Sequence, residues 1–158
     1  MKPLTVRTML TADSQQVSEV MTASIAALQL YRADVRAYLR SLYTPAALAE
    51  RLLKGTLIKV AEVPTDRPPW RPSIVGVACM AGQQVFGMHV APAHQRTGVG
   101  TRLLEALEAT QPVGALIWLE ANLEALAFYE RLGYRLVTQQ IAQRPPYFEY
   151  GGMEKLLR

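Results

Sequence analysis

A strand that runs straight into a glycine-bearing helix start constrains this chain more than any other segment. Met88–Val90 ends an apolar strand, Pro92 prevents its continuation, and Gly98 and Gly100 open an amphipathic helix. At such a junction several backbone N–H groups point the same way without partners, and together with the helix dipole they form a site for an anion. The glycines allow these amides to approach phosphate oxygens closely. The segment therefore predicts an anion site where a strand gives way to a helix.

Two common phosphate motifs can be excluded at this junction. A dinucleotide fingerprint needs a third glycine where this chain has Leu103, and a P-loop needs Gly-Lys-Ser/Thr where Gly100 is followed by Thr101-Arg102. Arg96 could add charge-assisted hydrogen bonds to a bound anion. The alternative reading is a glycine turn that only starts a helix.

Composition limits the class of protein. The 158 residues, with 50% hydrophobic and 19% charged side chains, predict one globular domain over residues 1–158. The formal charge of +4 permits an anionic ligand but is too small to indicate a nucleic-acid partner. Cys79 is the one cysteine, which excludes an internal disulfide and a cysteine-rich zinc site, and we expect no metal.

No segment of the sequence indicates a membrane span. The longest apolar stretches, Val113–Leu119 and Ile74–Ala81, are far shorter than the roughly 20 residues that a spanning helix needs. The first residues also lack the apolar centre of a signal peptide. We therefore expect a cytoplasmic protein that does not associate with membranes.

The periodicity of apolar residues predicts seven strands and four helices. The predicted strands are Leu4–Met9, Leu57–Val63, Ile74–Met80, Gln84–Val90, Val113–Leu119, Arg135–Ile141 and Tyr147–Leu156. The predicted helices are Val17–Leu42, Pro45–Leu53, Gly98–Thr110 and Asn122–Leu132. The order βααβββαβαββ indicates a mixed α/β (α+β) fold with a mostly antiparallel central sheet flanked by helices.

Two of these segments carry more specific predictions. Val113–Leu119 is continuously apolar, which is typical of a strand covered on both faces. The four prolines of Pro64–Pro72 exclude regular strand pairing and predict a stiff hairpin loop of unknown role.

Two motifs resemble those of the GNAT N-acetyltransferase superfamily. Gln95-Arg-Thr-Gly-Val-Gly100 is similar to its Q/R-x-x-G-x-G/A signature. The segment from Asn122 to Tyr134 is similar to its N-x-x-A-x-x-F-Y-x-x-x-G-F/Y motif, and Met153-Glu-Lys155 resembles its last strand. The matches cover about residues 84–156 in the order and spacing of the family. The resemblance implies the GNAT fold and an enzyme that transfers the acetyl group of acetyl-CoA, its co-substrate, to a primary amine.

The resemblance also implies where acetyl-CoA binds. Its pyrophosphate would lie on the backbone from Gln95 to Thr101, its pantetheine arm would pair with the backbone around Met88–Val90, and Asn122 would contact the pantetheine or sulfur region. The implied binding residues are Met88, His89, Val90, Gln95, Arg96, Thr97, Gly98, Val99, Gly100, Thr101, Asn122 and Tyr129.

The resemblance implies Tyr129 as the catalytic acid, and His89 is a candidate for the general base. Tyr129 would protonate the departing thiolate, although it also falls on the apolar face of its helix, where a tyrosine usually packs in the core. His89 has a suitable intrinsic pKa for a general base and would lie beside the reacting carbonyl. Glu120, Glu62 and a water chain remain alternative bases.

The sequence leaves several matters open. The acceptor could be a small-molecule or a peptide amine, and the oligomeric state is undecided, although homodimers are common in the resembled family. One alternative function is a non-catalytic acyl-CoA sensor on the same fold. A second is a domain that holds another anion, such as a nucleic acid, in the glycine loop, but no run of basic and aromatic residues accompanies that loop.

Overall fold

The computed structural model describes residues 3–158. Its strands are β1 (Thr5–Thr8), β2 (Leu57–Val63), β3 (Ser73–Ala81), β4 (Gln84–Val90), β5 (Leu116–Asn122), β6 (Arg135–Ile141) and β7 (Glu149–Leu156). Its α-helices are α1 (Ser14–Ala26), α2 (Ala33–Ser41), α3 (Pro45–Leu53), α4 (Val99–Glu108) and α5 (Leu126–Arg131). The predicted mixed α/β class with a mostly antiparallel sheet is confirmed.

The strands form one sheet in the order β1-β2-β3-β4-β5-β7-β6. Neighbouring strands are antiparallel except β4 and β5, which run parallel. The β4–β5 pairing consists of Gln84 with Trp118 and Val85 with Leu119, after which the two strands diverge. The sheet therefore opens into a cleft from Phe86 onward.

Helices cover both faces of the strands before the cleft. Helices α1 and α3 enclose one core cluster with β2 and β3, and α4 packs on the opposite face. Strand β3 is buried along most of its length because it lies between α1 and α4. A Cβ at Gly76 of this strand would lie 2.7 Å from Cγ1 of Val99 and 2.9 Å from Cδ1 of Leu103. Glycine at this position lets α4 pack closely enough to begin beside the end of β4.

The predicted single helix Val17–Leu42 is wrong, because the structure contains two helices, α1 and α2, with a turn between them. The turn buries the ring of Tyr31, which is 6% exposed. Carbonyl groups freed by the break need new donors. The guanidinium of Arg36 supplies them, with Nη1 donating to the carbonyls of Leu28 at 3.0 Å and Tyr31 at 2.7 Å. The element order is therefore βαααβββαβαββ.

The prediction for the strand after α4 is wrong in position and in coverage. Strand β5 begins at Leu116, three residues after the predicted start, and Val113 is 82% exposed in the preceding turn. Exposure alternates along β5, and Trp118 is 43% exposed, so one face of the strand is covered rather than two. The later position places Glu120 and Asn122 within the strand, beside the cleft.

Candidate active site

The cleft between β4 and β5 contains a cavity of about 1360 Å³. Strand β4, the loop before α4 and helix α5 form one part of its wall, and α1, α2 and the segment 142–150 form the other. The edge of β4 that faces β5 has no strand partner beyond Val85. An extended ligand can therefore lie against this edge as an added strand.

The loop before α4 presents a row of free backbone donors. In the part of the chain that the structure describes, the six N–H groups of residues 96–101 have no hydrogen-bond acceptor, and the first bond of the helix runs from the amide of Arg102 to the carbonyl of Gly98 at 3.1 Å. Arg96 and Gly98 have positive φ angles of 61° and 87°. Such alternating backbone conformations turn successive amides toward one point, where they bind anions. The loop therefore has the geometry of an anion site.

Side-chain hydrogen bonds fix the shape of this loop. Nε2 of Gln95 donates to the carbonyl of Val90 at 3.0 Å, which ties the loop back to β4. The hydroxyl of Thr97 donates to the carbonyl of His94 at 2.6 Å. Val99 is 3% exposed and packs in the core, so it offers the cavity its amide rather than its side chain.

Asn122 carries an unsatisfied atom at the cavity. Its Oδ1 atom is buried and has no hydrogen-bond partner. Asn122 ends β5 and makes no capping hydrogen bond, so the helix predicted from Asn122 begins later, at Leu126. An unpaired buried acceptor costs free energy, which a ligand N–H group can recover. The side chain thus fits the amide groups of a pantetheine arm.

Tyr129 lies on α5 and lines the same cavity. It is 5% exposed, and its ring packs edge-on against Phe128 and Tyr134 with centroid distances of 5.0 and 5.7 Å. Burial raises the pKa of its hydroxyl above the ordinary value, and the nearby Tyr43 adds to this effect. The phenol is therefore protonated at neutral pH and can act as a proton donor.

His89 lines the cavity from β4 and contacts α1. Its Nδ1 atom lies 3.2 Å from the Oγ atom of Ser24, and its ring packs edge-on against Tyr43 at 5.7 Å between centroids. Burial lowers the pKa of His89 to about 4, because the charged imidazolium is poorly solvated there. At neutral pH the imidazole is uncharged and can accept a proton.

The two glutamates considered as bases occupy different places. Glu120 on β5 lines the cavity, and its carboxylate has no ion-pair or hydrogen-bond partner among residues 3–158. Glu62 on β2 lies outside the lining of the cavity and pairs with Nε of Arg7 at 3.0 Å. The structure therefore removes Glu62 from the candidates for the base.

The structure brings most of the predicted site residues together. All of them line the cavity except Thr97 and Val99, whose amides belong to the row of free donors. Sequence reasoning missed Ser24, which reaches His89 from α1, and Phe148, which lies at the far end of the cavity. Neither belongs to a local motif, because each reaches the site from a distant part of the chain. Among the described residues, no group of three or more His, Cys, Asp or Glu side chains could hold a metal ion, and no helix is long and apolar enough to cross a membrane.

The parallel strands β4 and β5 diverge beside the row of free amides at the start of α4. Residues 69–136 match the family model described as an acetyltransferase (GNAT) domain. The resemblance to the GNAT superfamily, predicted from two motifs, is confirmed. Among curated proteins, none is significantly similar to the chain in sequence.

Solved structures share the fold over nearly the whole chain. A GCN5-related N-acetyltransferase from Rhodopseudomonas palustris superposes with a TM-score of 0.80 at 23% identity, covering 99% of this chain and 98% of that one. The PaiA N-acetyltransferase of Thermoplasma acidophilum, solved with coenzyme A, gives 0.69 at 15% identity and covers 98% and 99%. The yncA protein of Salmonella typhimurium, solved with its cofactor acetyl-CoA, gives 0.65 at 19% identity and covers 98% and 94%.

Proposed function

We propose that the chain is a single-domain N-acetyltransferase that moves the acetyl group of acetyl-CoA to a primary amine. The row of free amides at residues 96–101, beside the unpaired edge of β4, is the observation that carries this proposal. A pyrophosphate and an extended amide-bearing arm are the two ligand features that these surfaces complement. Acetyl-CoA has both, and it supplies the acetyl group as an activated thioester.

The binding residues divide into three groups along the cavity. The amides of residues 96–101 hold the pyrophosphate, with Arg96 adding charge at the same loop. The backbone of Met88–Val90 pairs with the pantetheine arm and polarises the thioester carbonyl near Val90. Oδ1 of Asn122 accepts an N–H group of that arm.

Acetyl transfer proceeds by direct attack of a neutral amine within a ternary complex. The nitrogen forms a bond to the acetyl carbon, the carbon–sulfur bond breaks, and the hydroxyl of Tyr129 gives its proton to the sulfur. His89 takes the proton that the nitrogen releases. When Nδ1 of His89 donates to Ser24, Nε2 is the nitrogen left to accept that proton. Solvent then restores both residues.

A thiol-release assay with acetyl-CoA over a panel of primary amines tests the proposal. Release that depends on both the amine and acetyl-CoA, with the acetylated product seen by mass spectrometry, is the expected result. If no thiol is released, calorimetry with acetyl-CoA alone distinguishes between the two possible causes. Binding without turnover of any amine would indicate an acyl-CoA sensor. Absence of binding at hundred-micromolar ligand would contradict the whole assignment.

A further inference from the structure

The end of the cavity away from the phosphate loop is lined by four aromatic rings. Phe148 is the centre of this aromatic wall, with centroid distances of 5.6 Å to Tyr31, 6.3 Å to Tyr38 and 6.1 Å to Tyr150. The wall joins α2 to the segment before β7, two parts of the chain that no sequence motif connects. Its size exceeds what a short aliphatic amine could cover.

Hydrogen bonds hold two of these rings in place. The hydroxyl of Tyr31 donates to the carbonyl of Glu149 at 2.6 Å and accepts from the amide of Leu123 at 3.2 Å. The hydroxyl of Tyr150 donates to Oε1 of Gln140 at 2.8 Å. Both hydroxyls are therefore engaged within the protein, whereas the hydroxyl of Tyr38 makes no hydrogen bond within residues 3–158.

The charges around the wall are few. Glu120 brings an unpaired carboxylate to the cavity, whereas Glu124 accepts a hydrogen bond from the amide of Leu30 at 3.1 Å. Glu120 lies close to the wall, because it pairs with Gly152 on β7, two residues from Tyr150, and side chains two residues apart leave the same face of a sheet. Arg144 also lines this end, and its guanidinium has no partner within residues 3–158.

We propose that the acceptor is an arylalkylamine, a primary amine with one positive charge and an aromatic body. This inference rests on the proposed acetyl transfer. Glu120 attracts the ammonium group from water, and the aromatic wall stacks against the body of the ligand. The electron-rich faces of the rings also favour a cation beside them.

The wall and Arg144 disfavour the other acceptor classes. A diamine or polyamine would bring a second ammonium group toward Arg144 and has no ring to place against the wall, although Glu124 lines the cavity beside Glu120. A short alkylamine would leave the wall in contact with water. An arylalkylamine satisfies the carboxylate and the wall together.

Steady-state kinetics with three amines tests this acceptor class. We expect kcat/KM for 2-phenylethylamine to exceed that for n-butylamine and for 1,4-diaminobutane by about tenfold or more, which is the size of a stacking plus cation–π contribution. Equal or higher kcat/KM for the diamine or the alkylamine would overturn the inference.

Substitutions at Phe148 and at its neighbour Tyr147 show whether the aromatic wall produces the preference for 2-phenylethylamine. Phe148→Leu should lower kcat/KM for 2-phenylethylamine roughly five- to tenfold through KM, while n-butylamine changes by less than about twofold. Tyr147→Leu is the matched control, because Tyr147 is 55% exposed and lies outside the cavity lining. Equal losses for both amines in Phe148→Leu, or equal losses in the two variants, would contradict a role for the wall.

Direct binding separates this inference from the proposed function. Calorimetry of 2-phenylethylamine with the CoA-saturated protein requires no turnover. Binding that is weakened by Phe148→Leu, without thiol release from any amine, would support the acceptor site and contradict acetyl transfer. Thiol release from other amines, with 2-phenylethylamine neither bound nor acetylated, would overturn the acceptor class and leave acetyl transfer standing. If neither acetyl-CoA nor 2-phenylethylamine binds, both the acetyl transfer and the acceptor class are overturned.

Discussion

The Nδ1 atom of His89 lies 3.2 Å from the Oγ atom of Ser24, which connects the central strand of the site to the first helix of the chain. Ser24 is 8% exposed, and Tyr43 packs on the other side of the imidazole. The ring is thus held by groups that carry no net charge at neutral pH. This environment favours the neutral imidazole, which is the form that a proton acceptor needs.

The first prediction concerns stability in mild acid. The pKa of His89 is about 4 in the folded protein, compared with an ordinary value of 6.5. Between pH 6.5 and 4, His89 is protonated in the unfolded chain and neutral in the folded one. The free energy of unfolding should therefore fall as pH drops from 6.5 to 4, by at most about 3 kcal/mol. Urea unfolding measured across this range should show the slope.

Two histidine variants identify the origin of that slope. His89→Gln should flatten the dependence between pH 6.5 and 4, whereas His94→Gln, at the other of the chain's two histidines, should retain it. An unchanged slope in His89→Gln would show that other groups produce it. Asp13, whose hydrogen bond with Arg7 lowers its pKa, also loses its contribution to stability at the acid end of this range, where the unfolded carboxyl begins to bind a proton, and this loss is common to the wild type and both variants.

The second prediction concerns the glycine that begins α4. Gly98 and Gly114 both have φ of 87°, and a Cβ at either position would meet nothing within 4 Å. Replacing either with alanine should cost about 1 kcal/mol of stability, because only the left-handed backbone is penalised. Gly98→Ala alone should weaken acetyl-CoA binding, by about tenfold, since the added Cβ would lie in the cavity lining and keep the pyrophosphate away from the free amides. Equal calorimetric dissociation constants for the two variants would contradict the binding role of the loop.

The third prediction separates the chemical role of Tyr129 from its packing role. Tyr129→Phe should lower kcat by about a hundredfold or more, which is typical of a lost general acid, while acetyl-CoA binding stays the same. Tyr134→Phe is the control, because that ring packs against Tyr129 but its hydroxyl bonds Glu108 at 2.9 Å outside the cavity. The control should lose about 1 kcal/mol of stability and keep its kcat. Comparable kcat values for Tyr129→Phe and wild type would contradict the catalytic role and show that Tyr129 only packs in the core.

The fourth prediction concerns Arg51, whose guanidinium packs against the rings of Tyr43 and Phe86; Tyr43 in turn contacts His89. The Cζ atom of Arg51 lies 5.4 Å from the ring centroid of Tyr43 and 5.3 Å from that of Phe86, and Nη2 donates to the carbonyl of Leu42 at 3.3 Å. Arg51→Leu should lower the free energy of unfolding by about 1–2 kcal/mol. Arg51→Lys should recover less than half of this loss, because an ammonium group cannot cover both rings.

A surface arginine provides the baseline for that measurement. Arg40 is exposed and its guanidinium has no ion pair or hydrogen bond in the described part of the chain, so Arg40→Leu should change stability by less than about 0.5 kcal/mol. A loss in Arg40→Leu as large as that in Arg51→Leu would mean that the ring contacts of Arg51 do not stabilise the fold.

The parts of the fold that depend on local sequence patterns were predicted correctly. The structure places β2, β4 and β6 at the predicted bounds, because alternating residues and turn residues delimit each strand. The glycine loop and α4 also lie where the motif indicates. The phosphate-binding part of the candidate site follows from these local elements, since its donors are consecutive amides of one segment.

The errors arose where tertiary contacts override local pattern. The helical spacing of Val17–Leu42 continues across the break, but burial of Tyr31 and the hydrogen bonds of Arg36 favour two helices. The apolar run Val113–Leu119 could not reveal that one face of β5 lacks a covering helix. Phe148 was missed as a site residue because its ring partners Tyr31 and Tyr38 are more than 100 positions away.

The central claim is that the amides of residues 96–101 bind the pyrophosphate of acetyl-CoA. Titration of the ¹⁵N-labelled protein with acetyl-CoA, followed by two-dimensional NMR, observes each of these N–H groups individually. We expect the N–H groups of residues 96–101 to show the largest chemical-shift changes, together with the amides of residues 86–90. The amides of β1 and β6 should stay unchanged. Saturable binding with no change at residues 96–101 would contradict the central claim.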